Sequence, residues 1–430
     1  MIELFVYNKD LEQIGIIDQY SSLIWANRYA RLGDCELYLP ATTEALQSLK
    51  IGYYLRRPDD DMVCQIRKIE LDTSAEDGNY LIVTGTDAKG ILDQRIIWDT
   101  SYCSGSIEKF CRKLVRDATI YTNNAFRAIR KSDNTTYLIK LGAEAGLEQA
   151  VTEQVSYTNL GDKIRAYCNA FGYGYRMKYD EGQLAFEMYQ GTDRSDSVIF
   201  SPMFDNLASS QYVDDETRMG NAAKIGGEGE GAQRWVVITG SAKGINRYEH
   251  FIDARDLGRI VTWAELKDVF TGGTWYIQTQ TEYLYRVSPG LIAVANEDHL
   301  TWLKAQKPTG EEVTIDGILY YQCSLDVCTA GSNHPGDDDE CELSKFLYQN
   351  TLIVRGIEKL AKYGRKESFS GEIIPNVGFQ YKQDYFLGDI VRVENEYGIA
   401  SDARITEVIE VQDANGYTLQ PKYEYKTEEE

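Results

Sequence analysis

The stretch LGDIVRVENEYGIASDARITEVIEVQDANGYTLQP, Leu387 to Pro421, sets the plan of the chain, because an earlier stretch repeats its pattern. The earlier one is IGYYLRRPDDDMVCQIRKIELDTSAEDGNYLIVT, Ile51 to Thr84. Both open with an apolar residue and a glycine (Gly52, Gly388), followed by a short strand that ends near Arg56 or Arg392. A polar turn comes next, then a β-rich run, Ile66 to Leu71 or Ile405 to Val411. Each then turns at Asp77-Gly78 or Asn415-Gly416 and enters a Tyr/Leu strand. The spacing predicts a three-strand meander, with glycine supplying the positive φ that tight hairpins need. Two such meanders near opposite ends of one chain imply a duplicated small β-barrel with other modules inserted between. That is a scaffold's plan more than an enzyme's.

Composition agrees. At 430 residues the chain is too long for one ordinary core. Tyrosine is abundant at 31 residues and proline scarce at 8, and Val/Ile/Thr/Tyr runs outnumber helical patterns. The fold class is therefore β-rich α+β and multidomain. Lys+Arg number 45 against 67 Asp+Glu, a net charge of −22, which argues against sequence-specific nucleic-acid binding. An acidic surface lining a channel would let DNA slide past; facing solvent, it only aids solubility. No apolar run approaches the roughly 18–20 residues of a membrane span. The opening MIELFVYNKDLEQIGIID alternates like a strand and lacks a signal peptide's pattern, so synthesis and folding in the cytosol are expected. The eight Cys are scattered, and most are expected to be reduced core thiols.

Taken in order, residues 1–98 read as a first tube-like β-barrel module and 99–205 as an α+β module. In the latter, Ser106 caps a helix with Ile107, Phe110, Cys111, Leu114, Val115 and Ala118 on one face. A second helix, Asn159 to Phe171, stops at Gly172, and a hairpin turns about Asp180-Glu181-Gly182. Residues 206–258 with 364–424 read as the second barrel module, and 343–363 as a helix returning to it. Residues 259–342 are an aromatic-rich insertion, with Trp263, Trp275, Tyr276, Tyr283, Tyr285, Trp302, Tyr320 and Tyr321.

Chemistry-bearing patterns are few. The tract Gly226–Gly231, GGEGEG, has no Lys-Ser/Thr and leads into a strand, so it reads as a turn rather than a phosphate loop. His250, His299 and His334 are the three histidines, and none falls in a triad or HExxH pattern; His250 reads as structural. Cys323, Cys328, His334 and Cys341 are a chemically sound zinc set, but they lack a CxxC knuckle, and unpaired thiols are the preferred reading. Asp337 to Glu340 lack the alternating ligands of a calcium loop. No catalytic set, cofactor motif or metal site is assigned.

The order of several short motifs resembles the hub proteins of long-tailed phages and prophages, the siphophage branch of the baseplate-hub family. The carriers are Leu23-Ile24-Trp25 with Arg28-Tyr29, Glu36 to Pro40, Arg95, Asn221 with Gly226-Gly227-Glu228, and Ala254 to Leu257. The most specific are Arg355-Gly356 with Leu360 before Ser368-Phe369, then Asp384-Tyr385 and Leu387-Gly388-Asp389 with Val391. Trp25, Arg28, Gly52, Arg355, Gly356, Gly388 and Asp389 are the family-motif positions that the resemblance implies. The resemblance covers about 1–258 and 343–424. It implies a non-enzymatic homotrimer at the distal end of the virion tail, two barrels per chain forming a pseudo-sixfold ring that continues the tail tube. The implied partners are a hexameric distal-tail or tube protein, the tape-measure protein and tip or receptor-binding proteins, with DNA passing through the bore. This chain departs from many relatives in its large insertion and in having no lysin domain after the hub. Two alternatives are a tail-associated peptidoglycan hydrolase and a glycan- or receptor-binding module in 259–342.

Overall fold

Thirteen strands join in one large sheet, numbered here in chain order. They are β1 (Leu4–Tyr7), β2 (Gln13–Ile17), β3 (Ser22–Arg28), β4 (Asp34–Pro40), β5 (Tyr54–Arg56), β6 (Val63–Ser74) and β7 (Gly78–Asp87). The C-terminal half adds β8 (Ile199–Phe200), β9 (Leu207–Asp215), β10 (Lys366–Ile373), β11 (Ile390–Glu394), β12 (Ala400–Asp413) and β13 (Gly416–Tyr425). The structure is a computed structural model that describes the chain except residues 1, 75–77, 123, 259–274, 279–283, 288–290, 295–311, 316–317, 324–341, 375–376 and 426–430. The hydrogen-bonded order is β9-β10-β13-β12-β3-β4-β7-β6-β5-β1-β2, with β11 on β12 and β8 on β11. The protein is thus mostly β, with several sheets and few helices. Both sequence-predicted meanders, β5-β6-β7 and β11-β12-β13, are present.

The two meanders share their backbone detail. Gly52 (φ +85°) donates its N–H to the Ile66 carbonyl at 2.8 Å, and Gly388 (φ +96°) donates to the Ile405 carbonyl at 2.9 Å. Only glycine adopts such a φ without cost. Immediately after those isoleucines each middle strand bulges, between Ile66 and Lys68 in β6 and between Ile405 and Glu407 in β12. A bulge inserts one unpaired residue and sharpens the twist, so the outer part of each long strand diverges from the short one. The hairpin glycines, Gly78 (φ +89°) and Gly416 (φ +121°), pair with Ser74 and Asp413 as the first residues of the outgoing strands. They follow the turn rather than sit within it.

Each half has its own core. Leu4, Val6, Trp25, Leu37, Leu55, Ile66 and Val83 fill the first; Phe200, Phe369, Tyr385, Val391, Ile405 and Tyr423 fill the second. Cys35 and Cys64 are disulfide-bonded inside the first core, which the sequence reading did not anticipate. They lie 29 residues apart on β4 and β6, and only the sheet order brings them together. Cys103, Cys111 and Cys168 are buried free thiols, as expected of core cysteines.

Within the first half, α1 (Thr43–Ser48) is capped by Thr42; between the halves, α2 (Ile107–Val115) is capped by Ser106 before a π turn over Arg116–Ile120. Helix α3 (Leu160–Phe171) begins at Asn159 and ends on Gly172 (φ +69°), as its capping signals predict. Helices α2 and α3 pack with the three-stranded sheet of Ile139–Leu141, Gly174–Asp180 and Gln183–Tyr189, whose hairpin turns at Glu181-Gly182. Helix α4 (Glu342–Leu360) ends four residues before Gly364, and Tyr363 donates its N–H to the Leu360 carbonyl. It lies on a separate three-stranded sheet made of Ala222–Gly226, Val236–Thr239 and Glu249–Asp253. Strands Trp275–Gln278, Leu284–Val287, Leu291–Val294, Glu312–Ile315 and Ile318–Cys323 make a five-stranded sheet of their own.

Candidate functional site

The chemically richest place among the described residues is the seam where the two halves meet, β3 against β12. Glu407 lies opposite Arg28 and Glu410 opposite Trp25 in this antiparallel ladder. Arg28 donates Nε to Glu407 at 2.7 Å and also pairs with Asp34, while Lys422 reaches Glu407 from β13 at 2.7 Å. One strand position later, Tyr29 donates its hydroxyl to the carbonyls of Gly172 and Tyr189. Its N–H is held by the Thr406 carbonyl at 2.9 Å. A Cβ placed on either Gly174 or Gly388 would lie 2.3 Å from its ring. Tyr29, at the end of β3, therefore touches the second meander and the α+β region at once. Burial pushes its hydroxyl up to about 12, which keeps it a neutral donor.

A buried charge cluster lies just below. Glu410, nearly inaccessible, accepts from Arg57 at 2.8 Å, Lys382 at 3.1 Å and the Tyr417 hydroxyl at 2.8 Å. Arg57 also forks onto Asp59 at 3.0 and 2.6 Å and lies over the Trp25 ring, and Lys382 pairs with Asp60 at 2.8 Å. Burial alone would lower Arg57, yet Asp59 and Glu410 outweigh it and hold the guanidinium above its ordinary value. Asp59 opposes its own desolvation through Arg57 and falls to about 2, whereas burial raises Asp60. Two cations and three carboxylates thus clamp the β5–β6 loop to β12. Breaking such a pair from one side costs about 3–5 kcal/mol, because a buried charge is left behind. The arrangement fixes orientation. It has no nucleophile and base poised over a cavity.

The other singled-out residues are also framework pieces. Asp389 accepts from the Thr192 N–H and from Arg194 Nε, both at 2.7 Å, tying the 189–198 segment to the Gly388 turn. Arg355 on α4 pairs with Asp256 at 3.0 Å. Gly356 lets α4 approach its sheet, since a Cβ there would meet Ile225 at 2.9 Å. Tyr348 of α4 accepts the Glu228 N–H at 2.6 Å, so the glycine tract folds onto a helix. His250 stacks on Tyr363 with ring centroids 4.3 Å apart. Gly52 meets only the flexible end of Lys9. Of the zinc set, Cys323 ends a strand, and Cys328, His334 and Cys341 lie outside the described residues, as do Asp337 to Glu340. Among the described residues no group of three or more His, Cys, Asp or Glu could hold a metal ion. No helix there is long and apolar enough to cross a membrane. A shallow cleft of about 420 Å³ beside Tyr173 and Tyr189 is lined by a single carboxylate, Glu148.

Reading the sequence missed Arg57, Asp59, Asp60, Lys382 and Glu410. The available signal was Glu410 at an inward position of an otherwise apolar alternation, Ile405, Val408, Glu410.

Residues 3–423 match the family model described as Siphovirus ReqiPepy6 Gp37-like protein. The chain belongs to this siphovirus family. Among solved structures, the tail protein from Neisseria meningitidis MC58 is similar at 9% identity, TM-score 0.50, covering 99% of this chain and 96% of that one. The 43 kDa tail protein of prophage MuSo2 from Shewanella oneidensis matches at 9% identity, TM-score 0.48, covering 98% of each chain. Prophage tail protein gp18 from Listeria monocytogenes EGD-e matches at 11% identity, TM-score 0.47, covering 100% and 96%. At such identity the Neisseria likeness speaks for the fold alone. No curated protein sequence matches the chain.

Proposed function

We propose that this siphovirus-family protein is a structural, non-enzymatic hub at the distal end of a phage or prophage tail. Three chains form the ring, each giving two tube-like β modules, so that six equivalent units continue a sixfold tail tube. One observation carries the reading. The strand order β3-β4-β7-β6-β5 recurs as β9-β10-β13-β12-β11, with the bulge at the same place in each middle strand. Barrel-like closure of these modules, with the charge seam holding them at a fixed angle, is what a trimer needs to imitate a hexamer. Family membership and the likeness in fold to the Neisseria tail protein support a place in the tail. The ring's neighbours are a hexameric tube or distal-tail protein above, tip or receptor-binding proteins below, and the tape-measure protein and DNA within the bore.

Among the described residues, the five-stranded sheet within 275–323 is hydrogen-bonded to none of the other sheets, which favours a separate recognition role for the insertion, toward a glycan or receptor-binding partner. Antibody labelling of intact particles tests the main reading. Label confined to the tail end, with about three copies per particle, is expected. Label spread along the tail or absent from particles overturns it.

A further inference from the structure

The internal repeat leaves two strand edges open, and the existing seam says what should cover them. Aligning the registers makes Lys68 the counterpart of Glu407, since each follows its bulge, and Leu71 the counterpart of Glu410. On the other arm, Trp25 faces Cys35, which faces Gly85; Tyr212 faces Phe369, which faces Tyr423. Gly85 and Tyr423 lie opposite Ile66 and Ile405, so Tyr212 is the counterpart of Trp25 and Asp215 of Arg28. Inside the chain, the outer edge of β12 from Glu407 to Gln412 is covered by Leu23 to Arg28 of β3. The equivalent edge, Lys68 to Thr73 of β6, pairs with no strand among the described residues, and neither does the outer edge of β9.

We propose that the Lys68–Thr73 edge of one copy pairs antiparallel with the Ser210–Asp215 edge of the next, repeating the β3–β12 ladder between chains. The inference rests on the ring reading above and gives its joint. In this register Lys68 faces Asp215 of the next copy, where inside the chain Glu407 faces Arg28. The ion pair is kept with its signs exchanged. Within the chain Lys68 pairs with Glu70 and Asp215 accepts from Thr217, so the joint adds a partner to charges already engaged locally. Leu71 would meet Tyr212. Burial points the same way: Val213, counterpart of the buried Ala26, is 41% exposed, and Leu71, counterpart of the buried Glu410, is 50% exposed. Two open, partly apolar edges are an aggregation hazard unless a designated partner covers them.

The test is a double variant, Leu71→Cys with Tyr212→Cys, in the full chain assembled into tails and oxidised. Covalent dimers and larger species on a non-reducing gel are expected, and the shifted pair Leu71→Cys with Val213→Cys should lose them. Tails holding the variant chain, both thiols reactive to a maleimide, and only monomer on the gel would overturn the joint and leave the hub reading standing. The unaltered chain absent from tails would overturn both. Charge exchange gives a second readout: Lys68→Glu and Asp215→Lys each reduce chain incorporation into tails, and together they restore it. Loss without restoration in the double variant counts against the register.

Discussion

The two meanders have one backbone plan and two different interiors. Where β7 carries Gly85 beside the bonded sulfurs of Cys35 and Cys64, the equivalent place on β13 holds Tyr423, opposite Phe369 and Ile405. A Cβ on Gly85 would lie 2.5 Å from the Cys64 sulfur. Tyr423 is fully buried and lies against Phe200, and Tyr385 packs on the same ring. One core is thus stapled around small residues, and the other is filled with rings. What the halves hold in common is the bulge, the positive-φ glycine and the strand order. Register is specified by these backbone devices, and the cores are free to diverge so long as volume is conserved.

That comparison can be broken from either side. The largest expected effect is Tyr423→Ala, which should cost about 3–5 kcal/mol in denaturant melts, since it leaves an aromatic-sized void. In the first half, Cys35→Ala with Cys64→Ala should cost about 2–4 kcal/mol through the freer unfolded chain, and a reducing agent should have no further effect on that variant. The seam that joins the halves should be as sensitive. Glu410→Ala is expected to cost about 3–5 kcal/mol by orphaning Arg57 and Lys382, whereas Glu407→Ala, partly exposed, should cost under about 1 kcal/mol.

The equivalent glycines sharpen the contrast further. Gly52→Ala meets only a flexible lysine end, so its cost should be the backbone term of about 1–2 kcal/mol. Gly388→Ala adds a collision with the Tyr29 ring and should cost more. Tyr29→Ala in the Gly388→Ala background should recover part of that difference in a double-mutant cycle.

The smallest expected effect is on pH dependence, where two buried clusters pull in opposite directions. Burial lifts the Glu153 carboxyl to about 7, against the pull of Lys163, in the network joining α3 to α4 through Glu358. A folded value above the ordinary 4.5 means this group's stability contribution is full below about 4.5 and is lost as pH rises through about 7. Glu153→Gln should flatten that slope. Asp59, held down to about 2, contributes above about 3.8 and is lost as pH falls toward 2, so Asp59→Asn should lower stability near neutral pH and flatten the slope on the acid limb.

Both meanders, the capped helices and the Asp180 hairpin were legible because glycine, capping and alternation signals are local. Trp25, Arg28 and Tyr29 stood out as a motif, but their partners did not, since Glu407 is 379 residues from Arg28. The tract Arg57 to Asp60 reads as a polar turn, and nothing local says that it is buried against Glu410. The disulfide and the bulge equivalence likewise depend on sheet order, which single-strand patterns do not carry.

The distance from Arg28 to Glu407 has a consequence for how the protein is made. At roughly 5–20 residues per second, the ribosome needs on the order of tens of seconds after β3 emerges before β12 exists to cover it. Throughout that time the Leu23–Arg28 edge is a sticky strand beside other nascent chains, and a loop of hundreds of residues must close before it is shielded. Arg28 already has the neighbouring Leu32 carbonyl and Asp34 as local partners. A charged residue tethered to its own hairpin is a guard on that edge during synthesis, before it becomes a clamp in the finished fold.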